Sequence, residues 1–130
     1  MDTQQIIVLS AIALILFLYV KRWLRMRGIT QLHPSEISEQ MNKNKSTILL
    51  DVRTNQERSG QHIKGSIHIP LHELTKRSNE LNQFKEKQII CYCQSGSRSM
   101  VAASMLQKKG FAVANLKGGM AEWNFQRRAA

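Results

Sequence analysis

The chain has 130 residues, 42% of them hydrophobic and 22% charged, with a net charge of +10 and two cysteines. That length holds a single modest core, and two cysteines this close together exclude a disulfide framework. The positive balance raises nucleic acid as a partner, but the basic residues form no stripe with interleaved aromatics, so nucleic-acid binding is not expected.

The first element is apolar from Ile6 to Val20 except for Ser10, and Lys21, Arg22, Arg25 and Arg27 follow it. Fifteen residues fall short of the roughly 20 that a bilayer span needs. Lys21 to Leu24 close the gap, because long basic side chains snorkel and Trp23 suits the interface. Asp2 precedes the run, the basic residues follow it, and no A-x-A-like site comes after, unlike a cleaved signal peptide. A helix hydrophobic on every side also makes a poor core helix. The pattern predicts a single-pass anchor with its basic flank over 1–27, membrane lipid as its partner, and the remainder, 28–130, on the cytoplasmic side. The flank explains only part of the charge. The rest is scattered from Lys43 and Lys45 to Arg127 and Arg128, suiting anionic headgroups beside a tethered domain.

Gly28 is a break, and Ile29 to Leu32 reads as a short first strand. Pro34 to Met41 reads as a helix with Pro in its first turn. Thr47 to Val52 has the continuous apolar character of a buried parallel strand. Thr54 to Ser59 is a single helical turn, and Ser66 to Ile69 a third strand. Leu71, Leu74, Leu81 and Phe84 share a helical face. Gln88 to Tyr92 is a fourth strand. Val101, Ala102, Met105 and Leu106 mark a helix that ends at Lys108-Lys109-Gly110. Phe111 to Leu116 and Met120 to Gln126 supply the last strand and helix. Strands alternating with helices predict an open α/β fold, a parallel sheet covered on both faces.

Chemistry concentrates in Cys93-Gln94-Ser95-Gly96-Ser97-Arg98-Ser99, between a strand and a helix N-terminus. Unpaired amides of such a loop converge on negative charge, the helix dipole adds to the field, and a sulfur there is stabilised as thiolate. Gly96 lets the backbone curl inward. Ser95, Ser97 and Ser99 offer hydroxyls, with helix capping as an equal role for Ser99. Arg98 either faces a bound anion or ties the loop to a carboxylate. Asp51, at a strand end beside the mouth, is the natural carboxylate for that tie or for Arg53. Cys91 is a core residue. Cys91-x-Cys93 meets no second Cys/His pair at ligand spacing, so neither a metal nor a cofactor is expected.

Taken together, these pieces resemble the rhodanese-like sulfurtransferases. The loop from Cys93 to Ser99 resembles the family's active-site loop, and Leu49-Leu50-Asp51-Val52-Arg53 its "LDVR" strand end. Glu57 with His62-Ile63-Lys64-Gly65-Ser66-Ile67-His68-Ile69-Pro70 resembles "E…GHIxGAxxIP", and Gly118-Gly119-Met120-Ala121-Glu122-Trp123 resembles "GGxxxW". The match runs from about Ile29 to Phe125. Gln61 replaces a usual Gly, and Gln94 stands where many members have Arg. The resemblance implies a rhodanese-like fold and a sulfur carried as a persulfide on Cys93, with amides from Gln94 to Ser99 stabilising the anion. It implies structural parts for Asp51, Arg53, His62 and His68. The partners would be a small sulfur donor, thiosulfate or a persulfide, and a thiol or protein acceptor. Neutral Gln94 predicts weak use of thiosulfate. Tyrosine phosphatases and related arsenate reductases use Cys-x5-Arg, one residue longer than Cys93 to Arg98, which disfavours that chemistry. A tethered binding module on the same fold is the alternative from a different class.

Overall fold

The computed structural model describes residues 1–26, 28–43 and 46–129. Arg27 of the basic flank, Lys45 and Ala130 lie outside the described residues. Helix α1 (Thr3–Met26) leads into strand β1 (Thr30–Leu32), followed by α2 (Pro34–Lys43), β2 (Thr47–Asp51), α3 (Asn55–Gly60) and β3 (Ile67–His68). Then come α4 (Leu74–Arg77), β4 (Gln88–Tyr92), α5 (Ser97–Lys108), β5 (Ala112–Leu116) and α6 (Gly119–Ala129). The five strands form one parallel sheet in the order β1-β5-β4-β2-β3.

Alternation along the central strands divides the core in two. Leu50 of β2 lies opposite Cys91 of β4, and both bury into a cluster with Leu74, Ala102, Ala103 and Leu106. Their neighbours Leu49 and Ile90 point to the other face, against Ile37 of α2 and Met120 and Trp123 of α6. Side chains two apart in a strand share a face, so five-residue strands covered on both sides must be apolar throughout. The layered architecture predicted from strand–helix alternation is the one observed.

The segment from Leu71 to Phe84 departs from the expected continuous helical face. It folds as a 3-10 turn (Leu71–Glu73), the single turn of α4 and a second 3-10 stretch (Ser78–Phe84). The periodicity is honoured, since Leu74 and Leu81 are buried. Thr75, Ser78, Asn79 and Asn82 are weak helix formers, and the Ser78 hydroxyl donates back to the Thr75 carbonyl at 3.5 Å. The stretch Thr3–Leu24 of α1, 22 residues with mean hydropathy 2.1, is not buried by the rest of the chain. By length and composition it can cross a membrane.

Candidate active site

Cys93 follows the last residue of β4 at the C-terminal edge of the sheet, where open parallel sheets bind ligands. Its side chain is fully buried. The Gly96 amide donates to Cys93 Sγ at 3.0 Å and the Ser99 hydroxyl at 3.4 Å. Gly96 has φ +103°, a left-handed conformation that only glycine adopts without strain. It immediately precedes α5, so the thiol sits at the positive end of a three-turn helix. Burial alone pushes the Cys93 thiol up. Hydrogen bonds from the Ser99 hydroxyl and amide, the Gly96 amide and the Ser95 amide outweigh it and bring the thiol below its ordinary range. Cys91, buried in the core without such donors and close to the charge of Cys93, is pushed up to about 12.

The loop is fixed from behind by the start of α6. The amides of Met120 and Ala121 donate to the carbonyls of Cys93 and Gln94 at 2.8 and 3.1 Å. These bonds fix the first two carbonyls of the loop against the start of α6. Gly119 permits the approach: a Cβ there would stand 2.5 Å from the Cys93 carbonyl oxygen and 2.7 Å from the Gln94 backbone.

Arg98 settles the choice left open by the sequence. Its Nη1 and Nη2 donate to Glu57 Oε1 and Oε2 at 2.7 and 2.8 Å, a bidentate tie between α5 and α3. Glu57 first, and the charge of Cys93 after it, raise this guanidinium above its ordinary range. The tying carboxylate is therefore Glu57 and not Asp51. Arg98, with the Thr54 cap, holds Glu57 down to about 2. The signal for this residue was present in the sequence, since Thr54-x-x-Glu57 forms a capping box at the start of α3.

Asp51 instead anchors the floor. Arg53 Nε and Nη2 donate to its two oxygens at 3.0 and 2.9 Å, Tyr92 donates at 3.1 Å, and Arg58 lies at 3.4 Å. Burial raises its carboxyl, but the bonds from Arg53 win and hold it below the usual carboxylate range. Arg53 is almost wholly buried and also reaches the Gln94 side chain at 3.5 Å. Gln94, Ser95 and Ser97 are exposed on the rim. His68 bonds the Arg53 carbonyl at 2.8 Å, and exposed His62 lies 3.3 Å from the Arg58 carbonyl, so their observed bonds are to the scaffold. Gln61, the departure from Gly, exchanges two amide bonds with Asn124 of α6 at 3.1 and 3.0 Å. Sequence reasoning did not single out Arg58, or Tyr92 and Asn124, whose partners are distant in the chain. Among the described residues no cluster of three or more His, Cys, Asp or Glu could hold a metal.

A depressed thiol ringed by amides at the C-terminal edge of an open parallel sheet defines a cysteine-dependent site for an anionic group. Residues 33–126 match the Rhodanese-like domain, and the chain belongs to that family. It is 41% identical over 97 residues to YrkF of Bacillus subtilis (strain 168), whose name proposes a sulfur carrier, covering 74% of this chain and 51% of that one. YqhL of the same organism, an uncharacterized protein, is 43% identical over 76 residues, covering 58% and 59%. The chain thus spans between half and three-fifths of these two relatives. A sulfurtransferase of Allochromatium vinosum is 28% identical over 96 residues, covering 73% and 88%. Among solved structures, thiosulfate sulfurtransferase from Pseudomonas aeruginosa superposes with a TM-score of 0.70 at 26% identity, covering 78% and 20%.

Proposed function

We propose that this protein is a sulfurtransferase that carries sulfane sulfur as a persulfide on Cys93. The reading is carried by one observation, a buried thiol held below its ordinary range by the amides and hydroxyl of its own loop. Relatives named as sulfurtransferases support it.

The reaction has two displacements. The Cys93 thiolate attacks the outer sulfur of a donor R–S–S–H; the donor's S–S bond breaks, R–S⁻ leaves, and Cys93–S–S–H forms. The bound persulfide loses its proton readily, and its terminal sulfur takes the place of the thiolate among amides already aimed at negative charge. An acceptor thiolate then attacks that sulfur and Cys93–S⁻ departs. The low basicity of Cys93 helps this second step, because a weaker base leaves faster. No general base is needed, in keeping with the two histidines lying on the scaffold.

Intact-mass analysis of the full chain in detergent, after brief exposure to thiosulfate or an organic persulfide, tests this reading. A gain of one sulfur atom is expected, reversed by dithiothreitol, absent in Cys93→Ser and retained in Cys91→Ser. No adduct on a folded chain with a titratable Cys93 would leave a binding module on this fold.

We also propose that α1 anchors the protein, with 1–27 in and beside the bilayer and 28–130 on the cytoplasmic side. Its apolar length and the basic residues after it support this. Extraction of the chain from cell membranes by alkaline carbonate would refute it.

A further inference from the structure

Lysines that look scattered in the sequence are gathered by the fold. Strands β2, β4 and β5 begin in register, Thr47 beside Gln88 and Gln88 beside Ala112. Lys43 precedes the first of these starts, Lys85 and Lys87 the second, and Lys108 and Lys109 the third. They stand at the N-terminal edge of the sheet, the end opposite Cys93, and all but Lys87 are exposed. Lys85 Nζ donates to the Lys109 carbonyl at 2.7 Å and lies 3.8 Å from the centre of the Phe111 ring, which ties two of these segments together. Carboxylates are fewer here. Glu39 is bound to Lys43 at 2.6 Å and Glu80 to Arg77 at 2.7 Å, which leaves Lys85, Lys87, Lys108 and Lys109 around Glu86.

The apolar helix joins the domain at the same edge. Thr30 of β1 pairs with Ala114, so the chain enters β1 from the level of Ala112. Three residues separate α1 from β1, a reach of little more than about 10 Å. From this edge a five-residue strand carries the chain about 17 Å to the mouth. Phe111 is buried and Phe84 partly so. The strand starts therefore offer no exposed ring of the kind on which single-stranded nucleic acid stacks its bases.

We infer that this lysine edge rests on the anionic headgroups of the bilayer that holds α1, so that the Cys93 mouth opens away from the membrane. The inference rests on the reading of α1 as an anchor and adds an orientation. Donor and acceptor then reach Cys93 from the aqueous side and not along the bilayer surface.

The lysines themselves supply the test. The full chain is placed in nanodiscs of phosphatidylcholine, with or without phosphatidylserine, and acetylated briefly by an N-hydroxysuccinimide ester. Peptide mass spectrometry then gives the rate at each lysine. Phosphatidylserine should slow Lys85, Lys108 and Lys109 at least fivefold, the factor given by about 1 kcal/mol per lysine at such a surface. Exposed Lys117, which follows β5 at the mouth, should keep its rate. High salt should erase the difference. Lys108→Glu combined with Lys109→Glu, both at exposed positions, should make the rate at Lys85 the same in the two discs. Equal rates at the edge lysines of the unmodified protein in both discs, or equal slowing of Lys117, overturn the inference and leave the anchor reading intact. Slowing by a single-stranded RNA in phosphatidylcholine discs, with none from phosphatidylserine, gives the edge to nucleic acid and overturns the inference as well. A chain that does not enter the discs overturns both.

Discussion

Replacing Ser99 by Ala removes one donor to the sulfur and little else. Ser99 is fully buried in the first turn of α5, and Ala suits that helix at least as well. Its hydroxyl has one proton and two acceptors, Cys93 Sγ at 3.4 Å and the Gly96 carbonyl at 3.1 Å. A hydrogen bond to a charged group contributes about 1.5–3 kcal/mol. Sharing the proton with the carbonyl lowers that to about 1 kcal/mol, or about 0.7 pKa unit at 1.36 kcal/mol per unit. The Cys93 pKa should therefore rise by about 0.7, and the thiolate fraction below both pKa values should fall about fivefold. Iodoacetamide alkylation as a function of pH reads this directly. The two proteins should differ about fivefold at low pH and converge once both thiols are ionised. A folded Ser99→Ala protein whose midpoint stays put, or moves down, would refute the assignment of Ser99 as a donor to the thiolate.

Three further outcomes follow from the surroundings of the loop. Gly119→Ala forces a Cβ into the Cys93 and Gln94 backbone at a residue with φ +62°, and should cost about 2–4 kcal/mol in urea unfolding. Asp51→Asn leaves the buried Arg53 guanidinium without its counter-charge and should cost about 3 kcal/mol or more by the same measurement; a loss under 1 kcal/mol would contradict the reading of Asp51 as the anchor of the floor. Glu57 is lowered in the folded protein, from its ordinary 4.5 to about 2, so its contribution to stability is full above 4.5 and fades as pH falls toward 2. Glu57→Gln should accordingly flatten the acid limb of a stability–pH curve in that window; an unchanged limb would mean that the ion pair does not persist in solution.

The order of elements and the nucleophile were legible because both are local. A run of apolar residues, a cysteine, small polar residues and an apolar helix describe strand, loop and helix without reference to the rest of the chain. The partner of Arg98 was not legible in that way. The sequence pointed to Asp51 as the tying carboxylate, whereas tertiary packing brings Glu57 to Arg98. Asp51, at the strand end, is held by the nearer Arg53 and by Arg58. Glu57 is lifted toward α5 by the first turn of α3. Ser99 illustrates a second limit: capping and thiol donation require the same residue at the same position, and the observed hydroxyl bonds both the Gly96 carbonyl and the sulfur. The stretch from Leu71 to Phe84 shows a third, since periodicity reports which side chains are buried and not whether the backbone between them stays α-helical.

The amides of Met120 and Ala121 that hold the Cys93 and Gln94 carbonyls have a consequence for synthesis. At about 5–20 residues per second, the ribosome makes the thiol a second or more before it makes the helix that caps its loop. Until that helix docks, the carbonyls of Cys93 and Gln94 lack the donors that hold them, so the loop takes its final shape only with the closing layer of the fold.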